Sequence, residues 1–351
     1  VKTQLAPIVI TGTRVEESAN EVPANVSVLT GKEIEERHAV NMAEALRVVP
    51  GVYQQEYAGV GYEASSALRL NGSNNVQYLV DGLNMSVPNL ETLSNPVAAF
   101  KNIDGIERVE VLKGAASSLY GSNAVGGVVN VITAKPKEGV KTKVRLMGGS
   151  YNQEQYALMN EGRQGNIYWR ASYQKDHIGD YKDAHGEKFT QSNQSHTASF
   201  MIGDEIDSHN DIRLAYDTYR ANVAYADSNK FWRNNPEWEY KWGYWNNKGG
   251  RGKLTRFGHR SFDSFRAIWD NKINDNWKHS LHVARSEFKT SDFDPLKNPT
   301  GAFVNDPTSL DVRTIQVGDQ VTYTKGKHTV VGGFEWEQSQ AISVDNHKVT
   351  N

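Results

Sequence analysis

The sequence has 351 residues, a formal net charge of −2 at pH 7 and no cysteine. A nearly neutral chain has no global basic field, which argues against nucleic acid as a partner, and the lack of thiols excludes disulfide frameworks and thiolate metal sites. No apolar run reaches the roughly 18 residues that a membrane-spanning helix needs. A membrane β-barrel is still possible, because its strands alternate lipid-facing and lumen-facing residues and have a low average hydropathy.

Residues 1 to about 135 mix short strands, helical segments and turns. The hydroxyl of Thr30 can cap a helix whose capping-box partner is Glu33. A second apolar stretch, Met42–Leu46, is followed by a helix stop at Pro50-Gly51. This pattern predicts a mixed α/β domain.

From about Lys141 onward the sequence alternates with a period of two, as in Ile167–Tyr173, where apolar residues occupy every second position. One apolar and one polar face per segment predicts half-buried strands. We predict nine strands, near 142–149, 153–162, 167–178, 194–204, 211–221, 261–271, 277–290, 309–324 and 328–342. After the first hairpin, short links alternate with long ones, which is typical of an outer-membrane barrel with short periplasmic turns and long external loops.

Four blocks of sequence, in order, resemble those of TonB-dependent outer-membrane receptors. The clearest is 106–133, which contains Val109-Glu110-Val111 and Tyr120-Gly121-Ser122 and is similar to the end of the plug domain in receptors for catecholate siderophores, haem or cobalamin. Blocks at 46–52 and 80–82 resemble earlier parts of the plug, and 7–12 resembles the TonB box.

This resemblance implies a mixed α/β plug domain followed by antiparallel transmembrane β-barrel strands. We expect a TonB-box coupling segment at 1–14, a plug domain at 15–136 and the N-terminal portion of the barrel at 137–351. A plugged barrel has about 22 strands, so nine strands predict an incomplete barrel that neither closes nor transports alone. The chain begins at Val1 without a basic or apolar leader, from which we expect that an export signal has been removed.

The start of the chain is the expected TonB-binding site. Ile8, Val9 and Ile10 are β-branched and lie between Pro7 and Thr11. Such a segment can add an edge strand to a partner sheet, and the resemblance identifies the partner as TonB with its inner-membrane energising complex. The alternative is an ordinary first strand of the plug.

Plug–barrel contacts are expected at Arg69, Arg108 and Lys113. The family usually carries arginines where this chain has Asn71 and Lys113. Arg69 lies two residues before Asn71 and would point to the same side of a strand. Lys113 keeps the charge without the bidentate fork that suits carboxylates.

Ligand contacts are expected in two plug segments and one long loop. If the family architecture holds, segments 55–62 and 84–90 point towards the outside, and we predict ligand binding by Tyr57, Tyr62, Asn84 and Asn89; the alternative is solvated loop. In the aromatic stretch 231–245, alternating rings favour an interfacial girdle. Phe231 and Trp232 break that alternation and are the better ligand candidates.

No catalytic group, cofactor or metal site is predicted. The glycines Gly121, Gly126 and Gly127 lack the Lys-Ser/Thr of a phosphate-binding loop and are better explained by close backbone packing. His279 and His282 are three apart on a strand, so they face opposite sides and cannot share an ion. Loop carboxylates near 180–187 and 292–294 could bind calcium, although solvated charge is the more common role.

We therefore predict TonB-dependent active uptake of a metal chelate across the bacterial outer membrane, by a protein that is a monomer when complete. Its N-terminus would lie in the periplasm and its strands would face outer-membrane lipid. An iron–siderophore is the first expectation for the ligand, and haem or cobalamin is the alternative. Less favoured functions are a barrel enzyme, a transcription-signalling receptor and a receptor for proteins such as colicins.

Overall fold

A computed structural model describes residues 8–9, 11, 13–15, 17–18, 25–56, 66–73, 75–85, 103–114, 116–121, 124–182, 188–189, 192–226, 255–297 and 303–345. The first part of the chain forms a small sheet with short helices, and the second part forms one large antiparallel sheet. The predicted fold class, a plug domain followed by barrel-type strands, is confirmed.

The described part of the plug contains nine strands and three helices. They are β1 (Ile8–Val9), β2 (Glu17–Ser18), β3 (Asn25–Thr30), α1 (Gly31–Glu36), α2 (Met42–Leu46), β4 (Val52–Glu56), β5 (Ser66–Leu70), β6 (Val76–Val80), β7 (Leu83–Asn84), β8 (Ile106–Lys113), α3 (Ser117–Tyr120) and β9 (Gly127–Thr133). The five-stranded plug sheet has the order β3-β8-β9-β6-β7. Only β6 and β9 are parallel, so β8 and β9 form the antiparallel centre of this sheet.

Helices α1 and α2 begin where local capping fixes them. The amide of Glu33 donates to Oγ1 of Thr30 at 3.2 Å, and the amide of Thr30 donates to Oε2 of Glu33 at 2.8 Å, which confirms the predicted capping box. These hydrogen bonds hold the pKa of Glu33 below its usual value. The side chain of Asn41, whose role the sequence did not reveal, caps α2 through the amide of Glu44 at 2.9 Å. No helix in the described ranges is long and apolar enough to cross a membrane.

The second part is a nine-stranded meander in which neighbours in sequence are neighbours in the sheet. Its strands are β10 (Gly139–Gly149), β11 (Gln153–Gln164), β12 (Ile167–Ile178), β15 (Ser192–Glu205), β16 (Asn210–Ala226), β17 (Thr255–Lys272), β18 (Trp277–Lys297), β19 (Phe303–Lys325) and β20 (His328–Asp345). A two-stranded hairpin of β13 (Tyr181–Lys182) and β14 (Lys188–Phe189) lies in one connection. The sheet is not closed, since β10 and β20 form its two edges. We call this sheet the wall.

All nine predicted wall strands are present, but four of them, β16 to β19, are six or seven residues longer than predicted. The sequence placed a long loop at 291–308, whereas β18 continues to Lys297 and β19 begins at Phe303. The reason is that backbone pairing continues after the apolar alternation stops, for example where Asp292 pairs with Thr308. The alternation of apolar residues therefore shows where the apolar part of a strand ends, and the strand itself continues beyond it.

The wall packs one face against the plug. Tyr219, Phe262 and Phe288 are buried in the same cluster as the plug residues Met42 and Leu83. Alternate positions on the same strands point the other way and are exposed, as expected for a period of two: Phe200 is 49%, Tyr216 44% and Phe265 46% exposed. The plug therefore lies on the inner face of the wall, and apolar side chains cover the outer face.

Candidate functional site

The predicted coupling segment forms a small hairpin. Ile8 pairs with Ser18 and Val9 pairs with Glu17 in an antiparallel ladder. The segment that was expected to add a strand to a partner sheet thus pairs with residues 17–18 of its own chain. Pro7 and Ile10, which were predicted to bind TonB together with Ile8, Val9 and Thr11, lie outside the described residues.

Thr11 anchors this segment in the centre of the plug sheet and is fully buried. Its amide donates to Oε2 of Glu110 on β8 at 2.8 Å, and its Oγ1 accepts from Nδ2 of Asn130 on β9 at 3.1 Å. Its carbonyl oxygen accepts from the hydroxyl of Tyr120 at 3.0 Å. The backbone and the side chain of one threonine are therefore bonded to two adjacent central strands and to α3.

The acceptor for Thr11 is a fully buried carboxylate. Glu110 is 0% exposed, and its Oε1 accepts from Nε of Arg108 at 2.8 Å. A buried charge is tolerated only when it is paired and hydrogen-bonded, and Arg108 together with the Thr11 amide meets that need. Burial raises the pKa of Tyr120 to about 12, so its hydroxyl stays protonated and able to donate to Thr11.

Arg14 joins the same segment to the wall. Its Nη2 lies 2.9 Å from Oε2 of Glu335 on β20 and 2.6 Å from the carbonyl oxygen of Leu119. Its guanidinium stacks 4.5 Å from the ring centre of Tyr120. Its own carbonyl accepts from Nε2 of Gln320 on β19 at 3.0 Å. Through its side chain and its backbone carbonyl, this one residue links the coupling segment, the plug and two wall strands, and we call Arg14, Glu335 and Gln320 the wall latch.

Removing the latch cation should loosen the segment without unfolding the plug. For Arg14→Ala we expect about 1–2 kcal/mol weaker docking, because a partly exposed charge-assisted hydrogen bond and its stacking are lost. Electron paramagnetic resonance of a nitroxide at position 13 should then show a larger mobile fraction. Lys32→Ala, which breaks the exposed pair with Glu36, is the matched control. An unchanged spectrum in Arg14→Ala would show that Thr11 alone holds the segment.

A second set of contacts fixes the plug to the first wall strand. The carboxylate of Asp104, with 5% side-chain exposure, lies 3.0 Å from Nζ of Lys143 and 3.1 Å from Nη1 of Arg145. Glu35 on α1 adds a carboxylate 2.9 Å from the same lysine, and this hydrogen bond holds the pKa of Glu35 below its usual value. Here the plug supplies the acids and the wall supplies the bases. Sequence reasoning missed this cluster, although Lys143 and Arg145 share one face of β10.

Arg170 on β12 contacts the residue just before β8 and the residue just after β9. Its Nη2 donates to the carbonyl oxygen of Ala134 at 2.8 Å, and Glu161 fixes the guanidinium from the side. The guanidinium packs directly on Gly105, which has φ +76° and no room for a Cβ. A left-handed backbone beside a large side chain explains why this position is glycine.

The structure places the predicted plug–barrel residues in contacts within the plug. Arg108 pairs with Glu107 and Glu110. Nη1 of Arg69 donates to the carbonyl oxygen of Gly72 at 3.2 Å. Lys113 pairs through its backbone with Asn25 and Gly127. A role for Arg69, Arg108 and Lys113 in holding the barrel stays a prediction.

Of the predicted ligand residues, only Asn84 lies in the described part of the chain, and it faces the wall. Asn84 is 4% exposed. Its backbone amide donates to Oε1 of Gln316 at 3.0 Å, and its backbone carbonyl accepts from Nε2 of Gln316 at 2.8 Å. Its side-chain Nδ2 donates to Oε2 of Glu337 at 2.9 Å. Pairing of β7 with β6 buries this residue, so the sequence-based expectation of an outward-facing loop is not met at this position. Tyr57, Tyr62, Asn89, Phe231 and Trp232 lie outside the described residues.

No metal-binding group is found among the described residues: no three His, Asp or Glu side chains come together there in a way that could hold an ion.

The architecture, a plug sheet on the inner face of an antiparallel wall with a hairpin docked in its centre, can be compared with known proteins. The family described as TonB-dependent Receptor Plug Domain matches residues 18–128. Residues 18–128 are a TonB-dependent receptor plug domain.

Sequence relatives agree with this assignment. The vitamin B12 transporter BtuB of Vibrio vulnificus is 37% identical over 150 residues, which cover 42% of this chain and 24% of the relative. The vitamin B12 transporter BtuB of Photobacterium profundum is 33% identical over 205 residues, which cover 58% of this chain and 32% of the relative. The matched parts therefore span about a quarter to a third of the length of these curated relatives.

Solved structures show the same fold at low sequence identity. The complex of FpvA of P. aeruginosa with a pyoverdine has a TM-score of 0.73 at 16% identity and covers 99% of this chain and 46% of the receptor chain. The copper transporter OprC has a TM-score of 0.72 at 17% identity, with 97% and 48% covered. These relatives are transporters and receptors rather than enzymes, and the chain has the fold of the N-terminal part of a TonB-dependent receptor.

Proposed function

We propose that this chain belongs to an outer-membrane receptor that takes up a metal chelate with energy delivered through TonB. The observation that carries the proposal is the docking of Thr11. The residue is the last one of the segment expected to bind TonB, and its polar atoms are bonded to β8, β9 and α3. A partner that pulls this segment acts on the centre of the plug sheet.

The first step is strand addition. TonB would pair with the backbone of residues 8–11 and replace the ladder that Ile8 and Val9 make with Glu17 and Ser18. Tension along the chain then reaches Thr11. Its hydrogen bonds to Glu110 and Asn130 transmit that tension to β8 and β9, the antiparallel strands at the centre of the plug sheet.

The second step is the response to ligand. The wall latch makes the docked segment sensitive to the position of the plug relative to β19 and β20, since Arg14 contacts all three. A ligand releases the segment only by as much as its affinity differs between the docked and released states. With a latch of about 1–2 kcal/mol, a modest differential affinity shifts the released population about five- to thirtyfold.

Orientation follows from where the segment lies. Gln320 and Glu335 lie nearer to the two-residue turn that joins β19 to β20 than to the other ends of these strands, and the turns at 165–166 and 206–209 at the same end are also short. Short turns mark the periplasmic end of outer-membrane barrels. The coupling segment would therefore lie in the periplasm, where TonB is available, and the long connections would lie outside.

For the ligand we propose a metal chelate, with cobalamin ahead of an iron–siderophore. This reverses the order expected from the sequence alone. Two relatives above 30% identity are named as vitamin B12 transporters, whereas the solved siderophore receptors compared share only the fold.

Binding spectroscopy tests this order. The protein purified from outer membranes is mixed with cobalamin, a ferric catecholate or haem, passed over a desalting column, and its absorption spectrum is recorded. Retention of the corrinoid spectrum alone is expected. Retention of only the ferric catecholate would place an iron–siderophore ahead of cobalamin as the ligand. Retention of none of the three would overturn the metal-chelate proposal.

A further inference from the structure

The hairpin of β6 and β7 forms one edge of the plug sheet, since the strand order is β3-β8-β9-β6-β7. Its turn is Asp81-Gly82, and both residues have a positive φ, of 51° and 82°. An Asp-Gly pair suits such a two-residue turn, because glycine adopts the left-handed backbone without strain. We call residues 76–85 the edge hairpin. An element at the edge of a sheet can shift without separating the central strands, so it can open locally at low cost.

Asn130 on β9 joins the edge hairpin to the coupling segment. Its side-chain Oδ1 accepts from the amide of Gly82 at 3.2 Å, and its Nδ2 donates to Oγ1 of Thr11 at 3.1 Å. The residue is 1% exposed. Oxygen and nitrogen of a primary amide are held in one plane, so a hydrogen bond at one of them orients the other. A single buried side chain therefore connects the docked threonine with the turn of the hairpin.

Release of Thr11 changes what Asn130 can bind. Its Nδ2 would then lie in the interior without the hydroxyl that accepts its hydrogen, and a buried donor without an acceptor is costly. Rotation of the amide towards another acceptor takes Oδ1 away from Gly82. Docking of the coupling segment therefore stabilises the turn. Because coupling between two sites is reciprocal, a shift of the edge hairpin also weakens the docking of the segment.

Asp81 keeps the turn formed when Asn130 lets go. Its Oδ1 accepts from the amide of Thr133 at 2.9 Å, and its Oδ2 accepts from the hydroxyl of the same threonine at 2.9 Å. Its own amide donates to the carbonyl oxygen of Val131 at 2.8 Å. Loss of the Asn130 bond therefore loosens the edge hairpin without unfolding it.

A cavity between the edge hairpin and the wall gives the hairpin room to move. It has a volume of about 80 Å³. Val80, Asp81 and Met85 of the hairpin line one side, and the wall side chains opposite include Met201 and Phe262. Side chains that face a void make no packing contacts on that side, so little dispersion energy is lost when they shift into it.

The wall holds the plug more strongly beside β8 than at the edge hairpin. Asp104, just before β8, forms ion pairs with two wall cations at 3.0 and 3.1 Å. At the hairpin, the two hydrogen bonds between Asn84 and Gln316 join uncharged groups, and a third reaches the carboxylate of Glu337. Hydrogen bonds between charged partners are about twice as strong as those between neutral ones. The hairpin side of the plug should therefore separate from the wall first.

We propose that the edge hairpin is the part of the plug that moves from the wall when the coupling segment is released, and that Asn130 is the positioning residue that links the two events. This assignment rests on the proposed TonB-dependent uptake and adds where the chelate passes: beside the edge hairpin, through the space that the cavity begins. The contacts of Asp104 keep the β8 side of the plug on the wall during this movement.

Hydrogen–deuterium exchange of the protein purified from outer membranes, read by mass spectrometry, tests the link. Thr11→Val removes the hydroxyl, keeps the shape of the side chain and leaves the backbone bonds of residue 11 in place. Peptides that cover 79–85 should then exchange about fivefold faster, because one hydrogen bond of ordinary net strength is lost. Peptides of β8 should keep their wild-type rate. Thr11→Ser retains the hydroxyl and should exchange like the wild type throughout.

Tyr120→Phe is the matched control, since it removes the hydrogen bond to the carbonyl oxygen of Thr11 and leaves the hydroxyl of Thr11 on Asn130. A nitroxide at position 13 should show a larger mobile fraction in both Thr11→Val and Tyr120→Phe. Only Thr11→Val should change exchange in the edge hairpin, because the remaining contacts keep the segment of Tyr120→Phe docked in most molecules.

Any of three results would overturn the proposal. Unchanged exchange at 79–85 in Thr11→Val would show that the hairpin does not respond to the dock. Equal acceleration there in Tyr120→Phe would show that loosening of the segment, and not the Asn130 bond, decides the response. Equal acceleration of β8 in Thr11→Val would mean that the whole sheet is destabilised. The experiment contains neither TonB nor a chelate, so its failure leaves the uptake proposal to be tested separately by binding spectroscopy.

Discussion

Replacing Ile8 with proline should abolish energy-dependent uptake while leaving ligand affinity at its wild-type value. Proline removes the amide hydrogen that a strand-adding partner needs and fixes φ. Loss of one main-chain hydrogen bond of about 1.4 kcal/mol lowers the affinity of TonB about tenfold, and interruption of the ladder should weaken it further. The residue lies three positions before the buried anchor Thr11, so the plug core keeps its contacts.

The measurement is uptake by whole cells beside equilibrium binding to isolated outer membranes. Ile8→Val keeps the amide hydrogen and the β-branched side chain and should transport normally. If Ile8→Pro loses ligand binding and uptake to the same extent, the segment has a structural role and the coupling account is wrong at this position.

Removing the carboxylate of Asp104 should destabilise the docking of the plug on the wall. Asp104→Ala leaves Lys143 and Arg145 facing a buried gap in place of a shared acceptor at 3.0 and 3.1 Å. Lys143 keeps Glu35, and Arg145 keeps the side-chain oxygens of Gln155 and Gln174. The loss of two charge-assisted hydrogen bonds to one buried carboxylate should still cost about 3 kcal/mol. The plug of the variant should therefore be cleaved by protease at lower denaturant concentration, whereas the wall strands keep their resistance.

Two variants make this result specific. Glu35→Ala removes an exposed partner of the same lysine and should cost under about 1 kcal/mol. Asp207→Ala removes a carboxylate from an exposed turn far from the plug and should leave the cleavage pattern unchanged. Protease resistance of Asp104→Ala equal to that of Asp207→Ala would show that other contacts hold the plug.

The features that depend on nearby residues could be predicted from the sequence. Alternation along each segment located all nine wall strands, because burial on one face acts on every second residue. The Thr30 and Glu33 capping box was predicted because its two residues are three positions apart.

The contacts that define the candidate site could not be predicted, because they join distant parts of the chain. Thr11 and Glu110 are 99 positions apart, and Arg14 and Glu335 are 321 apart. Asn84 resembled an exposed loop residue, yet its backbone amide donates to Gln316 on β19 and its side-chain amide donates to Glu337 on β20. A single sequence contains no record of which polar residues meet across the plug–wall interface. The inward-facing bases of β10 were the one local sign that the plug must supply acids.

In the proposed mechanism, the coupling segment must leave its docked position before the chelate can pass. The chain has no cysteine, so Arg14→Cys/Glu335→Cys can be joined specifically by a bifunctional thiol reagent with a reducible spacer. Uptake is then measured before linkage, after linkage and after reduction. The account predicts that linkage stops uptake, that reduction restores it, and that ligand binding is unchanged throughout. Undiminished uptake by the linked protein would contradict it.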